Sequence, residues 1–201
     1  MEAKNIDIVL LAAGKSERLG KPKQLLSFDG QSLLQHAIQE ASHSDAGQII
    51  VVLGANADIL RPGIDPTTAH VVVNAEWEEG MASSIRRGIN ALNQIVPSSE
   101  GVILMVCDQP YVTSSLLNDL IETYQKTGNH IVTCSYENTF GPPTLFHKSH
   151  FPELIQLKGD TGARKVVERH PGDVEVVLFP EGKIDIDTKA DYEKHTKSNR
   201  D

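Results

Sequence analysis

Four short apolar runs, each closed by a residue that ends a strand, constrain this 201-residue chain more than any other feature. Ile6 to Leu11 runs into Ala12-Ala13-Gly14, Gln48 to Leu53 ends at Gly54, and His70 to Val73 stops at Asn74. Gly101 to Val106, the most apolar of the four, ends in Cys107-Asp108-Gln109-Pro110. Runs of this length rich in Val, Ile and Leu are the pattern of parallel strands covered on both faces. Helical spacing fills the gaps between them. Leu33, Leu34, Ala37, Ile38 and Ala41 recur behind Ser32, a residue suited to an N-cap, and a helix opens near Met81, just past Gly80, and runs to about Leu92. Strand-helix-strand alternation predicts an α/β protein with three α/β/α layers and a mostly parallel sheet. The length suits one core and a single domain over residues 1–195, with a polar tail at 196–201.

The second half is less regular. Ser114 to Tyr124 reads as a helix, and Ile131 to Cys134 and Val174 to Leu178 read as strands. Between them, the tandem Pro142-Pro143 argues for an irregular crossing in place of a central strand. With 27 acidic against 19 basic residues and 5% aromatics, the chain lacks the basic, ring-studded surface that polymeric nucleic acid demands. No apolar run approaches the ~18 residues of a membrane span, and Met1 to Asn5 carries no signal core, so a soluble cytoplasmic protein without membrane contact is expected. Cys107 and Cys134 each lie at the end of an apolar run, where buried thiols are expected.

Charge concentrates in one place. In a chain of net charge −8, residues 15–23 hold four cations against one Glu, directly after the bare turn Ala12-Ala13-Gly14. A strand that ends in small residues and then a knot of cations is suited to bringing backbone N–H groups close to a phosphate. Two familiar phosphate loops fail on spacing. Gly14 and Gly20 enclose five residues and precede Lys21-Pro22, unlike a Walker A loop, and no Gly-x-Gly-x-x-Gly is present. Asp108 ends the next-but-two strand, and in open parallel sheets ligands sit beyond the carboxyl ends of strands, so Asp108 and this loop are expected to face one crevice.

Leu-Ala-Ala-Gly-x-Ser-x-Arg-x-Gly-x-x-Lys, as it stands from Leu11 to Lys23, resembles the signature loop of the MobA-like nucleotidyltransferases. Ala13 and Pro22-Lys23-Gln24 bring it closer to the molybdenum cofactor cytidylyltransferase (MocA-type) branch. Four more stretches resemble that family's motifs in order: Asn74…Trp77-x-x-Gly80-Met81-x-x-Ser84, Asp108-Gln109-Pro110, Gly159-Asp160-Thr161-Gly162-Ala163-Arg164, and Asp185-Ile186-Asp187-Thr188. The resemblance implies a Rossmann-like nucleotidyltransferase fold and a Mg2+-dependent transfer of CMP from CTP to the phosphate of molybdopterin or molybdenum cofactor, releasing pyrophosphate. A client molybdoenzyme would be a further partner.

The same resemblance assigns roles. Lys23 and Arg18 would bind the triphosphate and the charge developing on it, and with Asp108 form the catalytic set. Leu11, Ala12, Ala13, Gly14, Lys15 and Ser16 would wrap the phosphates, and Asn74, Gly80, Met81, Ser83 and Ser84 would meet base and ribose. Asp108 and Asp187 would hold magnesium, with Asp185 in reserve for the second position. Gln109, Pro142, Pro143, Asp160 and Arg164 would border the acceptor. Plainer readings accompany several of these: Trp77 as core, the serines as helix caps, Asp108 as a cap before Pro110, and Arg164 as a helix-start ion pair. Two other functions compete, a sugar- or polyol-phosphate nucleotidyltransferase and a non-catalytic carrier of the cofactor.

Overall fold

Successive residues of a strand face opposite ways, so a strand at the centre of a covered sheet feeds two cores at once. β1 (Ile6–Ala12) does this and is buried at every position. Ile8 and Leu10 join one core with Leu34, Ile38 and Leu117, while Val9 and Leu11 join a second with Ile85, Ile89 and Leu92. The computed structural model describes residues 5–16, 19–137 and 139–197.

After β1 come a small ladder of β2 (Ser27–Phe28) and β3 (Gln31–Ser32), then α1 (Leu33–Ser42), β4 (Ile49–Leu53), the short α2 (Ala57–Leu60), β5 (His70–Val73) and α3 (Met81–Ile95). They are followed by β6 (Gly101–Val106), α4 (Ser114–Thr127), β7 (Ile131–Tyr136), β8 (Thr139–His147), α5 (Phe151–Ile155), α6 (Arg164–Arg169), β9 (Val174–Leu178) and α7 (Lys189–Lys197). The main sheet has seven strands in the order β5-β4-β1-β6-β8-β7-β9. β8 runs antiparallel to both its neighbours, and the remaining pairs are parallel. Residues of α1 and α4 cover one face and those of α3, α5 and α6 the other, which gives the three expected layers.

Local chemistry explains the helix ends. Ser32 accepts from the Gln35 N–H while the Gln35 side chain reaches back, a capping box that starts α1. α4 starts on the Thr113 hydroxyl and stops at Gly128, whose φ of 74° few other residues adopt without strain. No helix among the described residues is long and apolar enough to cross a membrane.

Two expectations change. The tandem prolines lie in β8, fifth of the seven strands, and not in an irregular crossing. The sheet tolerates them because Thr133 of β7 faces Thr144 while Cys134 faces Gly141, so Pro142 and Pro143 bulge out of that ladder. On the other side, β6 pairs with β8 only from Thr144 onward. Neither proline is asked for an N–H, which is how a strand can hold them. At the C-terminal end α7 continues to Lys197, past the boundary drawn at 195, and residues 198–201 lie outside the described residues.

Candidate active site

β1 and β6 are in register with Leu11 opposite Val106, so the loop after one and Asp108 after the other emerge side by side. The side chain that shapes that loop is Gln24, which is fully buried. Its amide donates to the carbonyls of Ala12 at 3.0 Å and Gly14 at 2.9 Å. Across a planar trans peptide the N–H opposes the C=O, so the amides of Ala13 and Lys15 point away from the Gln24 amide. Ser16, at a φ of 62°, accepts the Lys23 N–H on its hydroxyl at 3.0 Å and closes the loop. A Cβ built on Gly14 would meet no protein atom within 4 Å, so the space above that residue belongs to the cleft.

Lys23 crosses this opening. Its Nζ donates to Asp187 Oδ1 at 2.8 Å and, in closer contact, to Asp108 Oδ2. Burial works against the ammonium, but the Asp108 charge and the hydrogen bonds to both carboxylates outweigh it and hold the Lys23 pKa well above its usual value. Asp108 Oδ1 is buried with no hydrogen-bond partner. Burial of the Asp185 carboxyl, together with the charges of Asp108 and Asp187, pushes Asp185 up to about 6. An orphaned carboxylate oxygen among oxygen donors in excess of cationic charge is what a hard divalent ion such as magnesium binds. The residues present therefore fit that ion.

Asp187 is placed by its neighbour. Ile186 is buried with Leu26, Phe28 and Leu33 in a small separate core, and its N–H donates to the Asp108 carbonyl at 3.0 Å. Alternation then turns the flanking acids away from that core, as the sequence pattern implied. Cys107 is buried and its thiol is pushed up to about 12 by burial and by Asp108, so it stays protonated and is no nucleophile.

The facing wall joins two motifs eighty residues apart. Gly80, at a φ of 117°, abuts Asp160 so closely that a Cβ would come within 2.7 Å of its Cα. Ala82 N–H donates to Gly159 O at 3.1 Å, and Gly159 N–H to Glu79 Oε1 at 3.1 Å. Arg86 donates at 2.8 Å to both Glu79 Oε1 and Leu157 O. Its hydrogen bond, and then that of Gly159, hold the Glu79 carboxyl down at about 2. Behind the wall, Asn74 Nδ2 donates to Ser83 Oγ at 2.8 Å and Ser84 Oγ at 3.1 Å.

The cleft has two connected parts. A basin of about 500 Å³ is lined by Leu11 to Ser16, Lys23, Asp108 and Asp187, and across from them by Gly80, Met81, Ser84 and Asp160. A hollow of about 180 Å³ shares Leu11, Met81 and Val106 with it and is otherwise lined by Tyr136, Phe140, Pro142 and Arg164, among others. Asp160, expected at the acceptor, thus stands in the basin. Asn74, Ser83, Gln109 and Pro143 line neither part: Asn74 and Ser83 brace the wall, Gln109 donates to Gly182 O at 2.8 Å, and Pro143 is buried in the bulge. Arg164 lines the hollow and also pairs with Glu168 at 2.9 Å, the ion pair of its plainer reading. Arg18 lies outside the described residues. Sequence reasoning did not single out the lining residues Leu19 and Val106, which are apolar, or Tyr136 and Thr133, whose hydroxyls belong to no motif.

A model of the MobA-like NTP transferase domain matches residues 8–174. Nicotine blue oxidoreductase of Paenarthrobacter nicotinovorans is 28% identical over 182 residues, 84% of each chain. Purine catabolism protein PucB of Bacillus subtilis is 27% identical over 197 residues, 92% of this chain and 93% of the relative. The crystal structure of Rv0371c from Mycobacterium tuberculosis superposes with a TM-score of 0.84 at 33% identity, covering 98% of this chain and 100% of that one. A complex of Rv0371c with manganese matches at 32% identity and a TM-score of 0.78, covering 96% and 99%.

Proposed function

The chain belongs to the MobA-like NTP transferase family and is a nucleotidyltransferase, and from that premise we propose that it transfers CMP from CTP to the phosphate of molybdopterin or molybdenum cofactor in the cytoplasm, with magnesium and with delivery to a client molybdoenzyme. The observation that carries the proposal is Lys23 bridging Asp108 and Asp187 beside the bare turn at Gly14. That arrangement suits a reaction between two polyanions, in which the protein's task is to neutralise and align charge.

An oxygen of the acceptor phosphate attacks the α-phosphorus of CTP, the bond from that phosphorus to the bridging oxygen breaks, and pyrophosphate leaves with the bond's electron pair. The attacking oxygen is already anionic, so the site needs no general base and no protein nucleophile, and the protonated Cys107 is consistent with this. The backbone N–H groups from Ala13 to Ser16 receive the phosphates, and Lys23 and Arg18 offset charge that grows as the leaving group departs. Asp108 and Asp187 would hold the magnesium ion, which when bound offsets phosphate charge as a Lewis acid. The base rests on the wall at Gly80, Met81 and Ser84, and the acceptor's ring system lies in the hollow of Phe140, Tyr136 and Pro142 with Arg164 at its mouth.

Incubation with each of the four nucleoside triphosphates, magnesium and molybdenum cofactor, followed by pyrophosphate release, tests the reading. Release with CTP that requires the cofactor is expected. Release that requires a sugar phosphate, or none under any combination, would overturn it.

A further inference from the structure

At the end of the sheet opposite the cleft, three neighbouring strands bring together a cluster that the transfer reaction does not use. His130 precedes β7, Asp173 precedes β9, and His150 closes a turn after β8; Ile131 pairs with both Phe146 and Val174 there. His150 is 6% exposed. Its Nε2 lies 3.4 Å from Asp173 Oδ2, and His130 Nδ1 lies 3.3 Å from the same oxygen. The other oxygen of Asp173 accepts the His130 N–H at 2.9 Å, which fixes the carboxylate.

Those two separations decide between readings. A charge-assisted hydrogen bond of this kind is about 2.7–2.9 Å long, so both contacts are slack as hydrogen bonds. A tetrahedral ion with bonds of about 2.0–2.1 Å has ligand-to-ligand edges of roughly 3.3–3.4 Å, which is the spacing found. The three ligand atoms all lie within 4.8 Å of one another. Glu153 makes a different use of its carboxylate. It pairs with His170 at 2.6 Å and stands 3.8 Å from His150 Nδ1, on the far side of that ring. At that separation Glu153 makes no hydrogen bond to His150 and stands outside the ligand set.

The geometry points to a second cation site, held by His130 Nδ1, His150 Nε2 and Asp173 Oδ2 with water as the fourth ligand, for a zinc-class ion. Two imidazoles and one carboxylate select such an ion over magnesium, which the all-oxygen set in the cleft suits. Because the ligands come from the starts of β7 and β9 and the end of β8, the ion staples the outer three strands. It lies away from the reacting atoms and acts on stability.

The test uses the full chain stripped of metal with a chelator, then titrated with zinc chloride alone by calorimetry and thermal melting, with cobalt chloride as a spectroscopic substitute. Apart from any ion held by the cleft carboxylates, wild type should take up one equivalent with a rise in Tm and give the intense visible bands of tetrahedral cobalt. Asp108→Asn, which alters the cleft, should bind equally well. Glu153→Gln, which alters a neighbour outside the ligand set, should weaken binding less than either ligand variant. His130→Gln and Asp173→Asn should weaken it more. His130 is half exposed, so its variant should fold, and its metal-free melting temperature checks that. No uptake by wild type, retained affinity in either ligand variant, octahedral cobalt spectra, or loss in Asp108→Asn with retention in His130→Gln would each overturn the site.

Discussion

The basin is walled by backbone, carboxylates and two lysines, whereas the hollow beside it is walled by rings, methyl groups and the bulged strand β8. The first stands over parallel strands whose ends are in register, the second over the antiparallel stretch where register slips between Thr133 and Cys134. A triphosphate looks the same whatever is to be joined to it, and regular geometry with fixed donors can serve it. An acceptor must be told apart from others by shape, and shape is built from side chains on irregular backbone. On the function proposed above, the contrast assigns the reaction type to the basin and the choice of acceptor to the hollow.

The strongest attempt to break that division is Asp108→Ala, which should remove nearly all pyrophosphate release while leaving metal-free nucleotide binding close to wild type; near-normal turnover would refute the metal assignment. Lys23→Ala should lower kcat on the order of 10²–10³-fold, as loss of one preorganised donor does. An effect seen in KM alone would make Lys23 a ground-state binder. CTP should be preferred to GTP by roughly 10–200-fold in kcat/KM, the range one small contact supplies. Ala13→Gly with Gln24→Ala should narrow that ratio, because Gln24 holds the carbonyls on either side of Ala13; an unchanged ratio would move discrimination to the wall at Gly80 to Ser84.

On the other side of the comparison, Phe140→Ala should raise KM for the acceptor roughly 2–10-fold, the worth of one ring contact, and leave KM for the nucleotide unmoved. Equal effects on both would erase the division. The smallest expected effect concerns the strap between them. Glu79 titrates at about 2 when folded against a usual 4.5, so its pairing with Arg86 and Gly159 adds stability that is full above about 4.5 and lost as pH falls through about 2. The Tm gap between wild type and Glu79→Gln should therefore be constant above that window and close within it. A gap that persisted at the acid end would assign the effect to packing.

Legibility in the sequence followed the same line. β1, β4, β5 and β6 are found within a residue of where their apolar runs place them; in β1, β4 and β6 the reason is that a strand covered on both faces leaves little room for other residues, whereas β5 is a partly exposed edge strand. Asp108 and Asp187 could be read because each sits next to a strand end or an alternating pair. The bulge at Pro142 could not, since a proline's local preference says only that no N–H will be donated, and the partner strand decides where that is harmless. Gln24 was legible as part of a motif but not as a scaffold, for its partners are carbonyls that carry no residue identity. The inward turn of Asn74 and Ser83 escaped for the same reason: polar residues at a helix start serve a ligand or one another with equal ease.

Gly80 is pressed against Asp160, and Glu79 and Arg86 are tied to Gly159 and Leu157, so the two segments of the facing wall form one mechanical part. Modularity is limited accordingly. A loop spanning 157–164 grafted from a relative to change the acceptor would displace the surface on which the base rests. Recombination that respects this join would move residues 74–88 and 157–164 as a pair, and libraries that cross between them should yield chimaeras impaired in both substrates at once.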